Sequence, residues 1–206
     1  IPDEELLKLA ETGELRKPKV LEAQVARMLA DPRSRRFSQS FTEQWLGLEG
    51  LKNAIHIPEG PLKEAIREEP VAFFREVLAN NRSVVDFIHS DYAVVNEPLA
   101  AHYGIPKVYG PDFRKVAIAP GVHRGGVLTD AAVLAMNANA KDSNPLKRGV
   151  WMLKNILNDP PPPPPPDVPT VDLTNPKILQ MTLKERIADH RRRVPGATEH
   201  RPVEAR

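Results

Sequence analysis

The chain has 206 residues, enough for one or two domains at the usual ~100–200 residues each. Its 41% hydrophobic and 27% charged residues exclude a wholly disordered or fibrous chain, and a formal net charge of +2 is too balanced to carry nucleic-acid binding by electrostatics. With no cysteine, disulfides, thiolate metal sites, catalytic thiols and thioether attachment of haem are excluded; the 22 prolines are about twice the ordinary share.

Taken in chain order, the first half has helical periodicity. Asp3 is placed to cap a helix to about Thr12, with Gly13 as its stop. A second helix is expected over Lys19 to Ala30, with Val20, Leu21, Val25, Met28 and Leu29 on one apolar stripe. Asp31-Pro32 breaks it and opens a third to about Leu46, whose Phe37, Phe41, Trp45 and then Leu48 recur at core spacing. After a loop at 58–61, a long helix is expected from Leu62 to Ala79, kinked or split at Pro70 because proline lacks the amide donor. Ser83 and Asp86 are spaced for a capping-box-like start of a short helix over 82–88. Asn96 to Tyr103 forms another, closed by Gly104.

Phe113 to Ile118 alternates as a brief strand or extended link. Arg124-Gly125-Gly126 marks a turn or a close backbone approach, and Thr129 is placed to cap a helix to about Met136. Residues 137–144 are loop-like. Pro145 suits a first helical position, and Leu146, Val150, Leu153, Ile156 and Leu157 define the next apolar stripe. Pro160, Pro161, Pro162, Pro163, Pro164, Pro165 and Pro166 form a polyproline II rod of roughly 20 Å, a spacer or strap, or a ligand for an aromatic groove. Thr182-Leu183-Lys184-Glu185 is a capping box opening a last helix to about Arg193. The C-terminal arginines are diluted by Glu185, Asp189, Glu199 and Glu204, as on a solvated helix end.

The fold expected is mainly α: two helical subdomains with a polyproline II segment and a C-terminal capped helix. The boundaries are a helical domain at 1–105, N-terminally incomplete, a link at 106–120, the helical core of a second domain at 121–159, a polyproline strap at 160–181, and the last helix with its basic tail at 182–206. No apolar run reaches the ~18–20 residues of a membrane span, and the start lacks the basic and apolar regions of a signal peptide. With no initiator Met either, the chain reads as a mature fragment or one segment of a longer polypeptide.

The familiar catalytic patterns are missing. None of the six histidines stands at helical metal-pair spacing, and the sequence contains no His-Glu-x-x-His, no Gly-x-Ser-x-Gly elbow, no Walker loop and no dinucleotide fingerprint. Carboxylates show no informative pairing, so no glycosidase pair follows. Two polar groupings remain. Asn96, Glu97, His102 and Tyr103 crowd one short helix, with Arg124 counted among the same candidate polar residues, and Lys147 and Arg148 stand just inside a helix start, against the macrodipole. Each grouping serves either hydrogen bonds within the fold or a binding site.

Several runs together carry a resemblance: Arg124 to Thr129, Asp142 to Trp151, Leu153 to Leu157, the prolines with Asp167-Val168-Pro169, and Thr182 to Ile187 with His190-Arg191. They are similar to a domain of unknown function found in large secreted, cytochrome c-associated proteins, especially of planctomycetes. The stretches Asp3 to Leu7, Gln24 to Ser34, Phe41 to Leu48, Arg82 to Val84, and Asp91-Tyr92 through Asn96-Glu97 to Ile105 resemble the domain that precedes it there. The resemblance implies a Cys-x-x-Cys-His haem site after the last helix. The corresponding positions hold Gly196, Glu199 and His200, so the histidine is in register, as a residual haem ligand or an exposed residue, while both cysteines are missing. No second axial ligand is identified; Met136, Met152, Met181 and His123 read as core or surface.

By that resemblance the chain is expected to be a noncatalytic scaffold segment of an extracytoplasmic cytochrome c-associated protein. It would support electron transfer near a haem, with other domains of its parent protein or a redox partner beside it. The alternatives are an interaction module using the proline rod and basic tail, and a glycan-active hydrolase for which no motif speaks.

Overall fold

Local capping chemistry starts the chain as expected. In the computed structural model, which describes residues 2–53, 57–119, 121–138, 143–162 and 176–193, Asp3 Oδ1 accepts the Leu6 amide at 3.0 Å. Helix α1 runs Glu4–Glu11, and Gly13 turns the chain with φ +73°, a conformation glycine adopts freely. Helix α2 (Pro18–Ala30) begins on proline and lies against α1 through a polar seam. Arg27 donates to both oxygens of Asp3 at 2.7 and 3.0 Å, and Gln24 donates to Glu5 at 2.7 Å.

That seam overturns the expected core stripe of α2. Gln24 is its buried residue, while Leu21, Val25, Met28 and Leu29 are exposed. Val25 and Leu29 lie about 100° and 140° round the helix from Gln24, and Leu21 and Met28 flank it within about 60°. Helix α3 (Ser34–Leu46) repeats the offset: its buried row is Ser38, Thr42 and Leu46, and Phe37 and Phe41 stay exposed. Small side chains in the buried row let two helices approach closely; α3 packs on the next helix, where the Phe37 and Phe41 rings also stand 6.2 and 5.1 Å from that of Phe74. Leu48 is buried, as its spacing implied.

Helix α4 (Pro61–Ala79) is the centre of the first unit. It buries Ala65, Ile66, Glu69, Pro70, Val71, Ala72, Phe73, Phe74 and Val77, and it touches α3, the strand β1 (Tyr92–Val95), α5 (Glu97–Tyr103) and α6 (Ala131–Met136). The expected split at Pro70 does not occur. One amide hydrogen bond is forgone there, and burial of residues on every side of that turn holds the helix continuous.

The brief strand expected within 113–118 is β2 (Arg114–Ala117), and Tyr92–Val95, for which no element was expected, pairs with it antiparallel, Tyr92 opposite Ala117 and Val95 opposite Arg114. All four β1 residues are buried, so the alternation that betrays a half-exposed strand is absent. Ser83 does not form a box with Asp86: it accepts the Val85 amide, and the Asp86 carboxylate accepts the Tyr92 hydroxyl at 2.8 Å. Asn96 caps α5, and Gly104 ends it at φ +69°, as the spacing implied.

The chain divides into two compact units, Ile1–Ala140 and Lys141–Arg206. Residues 121–138, grouped by sequence with the second domain, lie in the first unit. In the second, α7 (Pro145–Asn155) is capped by Asn144, α8 spans Pro176–Gln180 and α9 spans Leu183–Arg193. The capping box is present: Thr182 donates its amide and hydroxyl to Glu185 at 2.7 and 2.8 Å. On the expected α7 stripe, Leu146 and Val150 are exposed, as is Leu157 just beyond the helix. Periodicity sets a helix's apolar face; it does not supply the surface that covers it. Among the described residues the architecture is mainly α, with one two-stranded sheet.

Candidate functional site

The Arg124-Gly125-Gly126 run presses against the backbone of residues 87–90. Gly125 has φ +122°, and a Cβ there would stand 2.0 Å from the Ser90 carbonyl oxygen. Gly126 has φ +76°, and its Cβ would meet the Phe87 carbonyl oxygen at 2.7 Å. Only glycine fits this close backbone approach. The turn is closed by Thr129, whose hydroxyl accepts the Gly125 amide at 2.9 Å and donates to the Gly126 carbonyl at 3.1 Å. Thr129 is thus spent on the turn; Asp130 occupies the cap position of α6, with no side-chain cap bond.

The turn lays the Arg124 guanidinium over the Tyr103 ring, 3.5 Å from its centroid, and Arg124 also donates to the Thr129 carbonyl at 3.1 Å. The Tyr103 hydroxyl donates to the Glu69 carboxylate, 2.7 and 2.8 Å from its two oxygens. The Ala131 amide donates to Glu69 Oε2 and to the Tyr103 oxygen, each at 2.9 Å. Glu69 and Asp130 are 3% and 5% exposed, so both carboxyl groups are out of water. Asp130 Oδ2 has no hydrogen-bond partner among the described residues.

Burial raises the pKa of both carboxyl groups because it penalises the charged form. Glu69 is pushed up to about 7, against the pull of its bonds from Tyr103 and Ala131 and of the Arg124 charge. Asp130 is pushed well above the ordinary carboxylate range by burial and then by the neighbouring Glu69. Burial and Glu69 also raise Tyr103, which stays a neutral donor. The cluster is inward-facing and tied to main chain, so its evident chemistry is to join α4, α5 and the start of α6.

The candidate polar residues are only partly gathered here. Tyr103 and Arg124 meet directly. His102 lies beside them, its ring 5.3 Å from that of Tyr103, but is exposed. Asn96 and Glu97 turn to another task. Asn96 donates to the Pro111 carbonyl at 3.3 Å, and Glu97 accepts the Gly110 amide at 2.7 Å, so they fasten the 110–111 loop to α5. Lys147 and Arg148 stand in the other unit, where the Lys147 amide donates to the Asn144 cap and Arg148 donates to Ser143 at 3.3 Å. Pro160, Pro161 and Pro162 are exposed, while Pro163 to Pro166 and Gly196, Glu199 and His200 lie outside the described residues. No group of three or more His, Asp or Glu placed to hold a metal occurs among the described residues.

Sequence reasoning missed Glu69 and Asp130. For Glu69 a signal existed: it stands three or four residues from Ile66, Phe73 and Ala65, on the buried side of a helix. Asp130 directly before Ala131-Ala132-Val133 had the look of an ordinary solvated cap.

Two protein families match the chain in tandem. The model described as protein of unknown function (DUF1592), with the short name PSD4, matches residues 1–105. The model described as protein of unknown function (DUF1588), with the short name PSCyt3, matches residues 124–205. No curated protein and no solved structure matches it. The second match begins at Arg124, so the residues that build the cluster come from both matched segments.

Proposed function

The chain belongs to the DUF1592 family of proteins of unknown function, and on that premise we propose that it is a noncatalytic scaffold segment of an extracytoplasmic, cytochrome c-associated protein. Its role is to support electron transfer near a haem held elsewhere in the assembly. The observation that carries this reading is the tandem order of the two family matches, the second under a name that points to cytochromes. The buried cluster adds to it, because the Glu69 carboxylate is spent on joining elements of the fold. No helix among the described residues is long and apolar enough to cross a membrane.

A c-type haem does not fit this chain as a covalent group. Thioether bonds need two thiols, and the sequence has none, with Gly196 and Glu199 standing where the resemblance puts them. The haem therefore belongs to another domain of the parent protein or to a redox partner. The test is an absorbance spectrum with a pyridine haemochrome assay on natively purified parent protein. Haem in that material, and none bound covalently to residues 1–206, is the expected result. A haem-free native protein, with the cysteine-free mass confirmed intact, would sink the proposal.

A second reading has one observation behind it: the described start of the proline rod is exposed. An exposed polyproline II segment is a ready ligand for an aromatic groove. Binding of the chain to the other domains of its parent protein, measured with and without residues 160–166, separates the two. Loss of binding on deletion favours the interaction module; unchanged binding removes it.

A further inference from the structure

The buried pair Glu69 and Asp130 joins residues from the two matched families, and its bonding is unequal. Glu69 receives the Tyr103 hydroxyl and the Ala131 amide. Asp130 Oδ2 receives no hydrogen bond among the described residues. An unpartnered buried anion is far costlier than an unpartnered neutral acid. The charged and titratable groups facing the pair are Arg124 from the glycine turn and Tyr103 from α5. The 48–53 segment also packs on α6, but its Glu49 and Lys52 are exposed. With both carboxyl groups ionised the cluster carries a net negative charge out of water; with one proton it is neutral against Arg124.

We propose that Asp130 folds as the neutral acid beside an ionised Glu69, and that this single buried proton latches the 124–136 segment onto α4 and α5. When the proton leaves, two carboxylates face one guanidinium, and the latch loosens. The segment then separates first where it is held by the cluster, at the Ala131 amide, while the packing of α4 on α3 persists. The device makes the attachment of the second family's leading residues to the first family's core sensitive to pH.

The sign follows from which state holds more protons. The folded pair binds a proton that the unfolded chain has already released, so stability falls as pH rises above the ordinary carboxylate range. Between pH 5 and pH 8 the folding equilibrium constant of the 206-residue chain should drop by roughly tenfold or more, since each pH unit over which the folded pair keeps a proton that the unfolded chain has lost is a factor of ten. Urea denaturation across that range is the measurement. Asp130→Asn keeps the shape of the neutral acid and removes its titration, so its drop should be smaller than that of the wild-type chain. Should Asp130→Asn fail to fold, amide hydrogen exchange on the wild-type chain decides. Protection of residues 124–136, corrected for intrinsic rate, should fall between pH 6 and pH 8 while that of residues 71–77 holds. A wild-type chain equally stable at pH 5 and pH 8, an Asp130→Asn variant that keeps the full drop, or exchange protection that falls alike in both segments would overturn the proposal.

Discussion

Gly125→Ala isolates the close approach that positions the cluster. The substitution asks an L-residue to hold φ +122°, which costs about 1–3 kcal/mol. It also puts a methyl 2.0 Å from the Ser90 carbonyl oxygen and 2.9 Å from its carbon. Main chain has to move, and overpacking of that kind adds about 1–3 kcal/mol. A total of roughly 4 kcal/mol is a large share of the 5–15 kcal/mol that holds a typical domain folded. Gly13→Ala is the control: φ is +73°, nothing lies within 4 Å of its Cβ, and the cost is conformational alone, about 1 kcal/mol. Urea denaturation followed by fluorescence reads the difference. A Trp151→Phe background leaves Trp45, in the first unit, as the sole indole. If Gly125→Ala shifts the unfolding free energy by no more than about 0.5 kcal/mol beyond Gly13→Ala, the backbone contact does not carry the turn.

Three further outcomes are expected. Leu46→Ala, at a fully buried position, should cost about 2–5 kcal/mol, while Leu21→Ala on the exposed stripe should stay within about 0.5 kcal/mol; equal costs would mean the two helix faces are misassigned. Tyr103→Phe removes the hydroxyl between Glu69 and the Ala131 amide and should lose about 1–3 kcal/mol in denaturant titration, since it leaves buried groups short of partners. On the acid side, Arg27 holds Asp3 down at about 2 and Arg33 does the same to Asp31. Depressed carboxylates stabilise above their unfolded value near 3.8 and lose that contribution as pH falls through about 2. Asp3→Asn should therefore flatten part of the fall in melting temperature between pH 4 and pH 2, and an unchanged acid limb would argue against the α1–α2 seam.

Much of the chain's punctuation was legible because it is local chemistry. Asp3 and the Thr182–Glu185 pair each satisfy amides a few residues away, and Gly13 and Gly104 end helices through their own backbone freedom. The close approach at Gly125-Gly126 was legible too, though not what it approaches. The buried face of each helix was not. In α2 and α3 the most apolar row lies beside the buried one, because Arg27 and Gln24 bind α1 and because Ser38 and Thr42 are small enough for α3 to pack on α4. Thr129 looked like a cap until its hydroxyl was seen to close the glycine turn.

Residues near one another in the chain suffice for the helical class, for most places where helices start and stop, for the run of prolines, the missing thiols and the tandem resemblance. Tertiary structure alone decided that residues 124–136 complete the core of the first unit. Glu69 and Ala131 are separated by 62 positions, and only folding brings that carboxylate within 2.9 Å of that amide. Burial then does what no local pattern encodes: it turns two ordinary acidic residues into a pair that favours one proton over none.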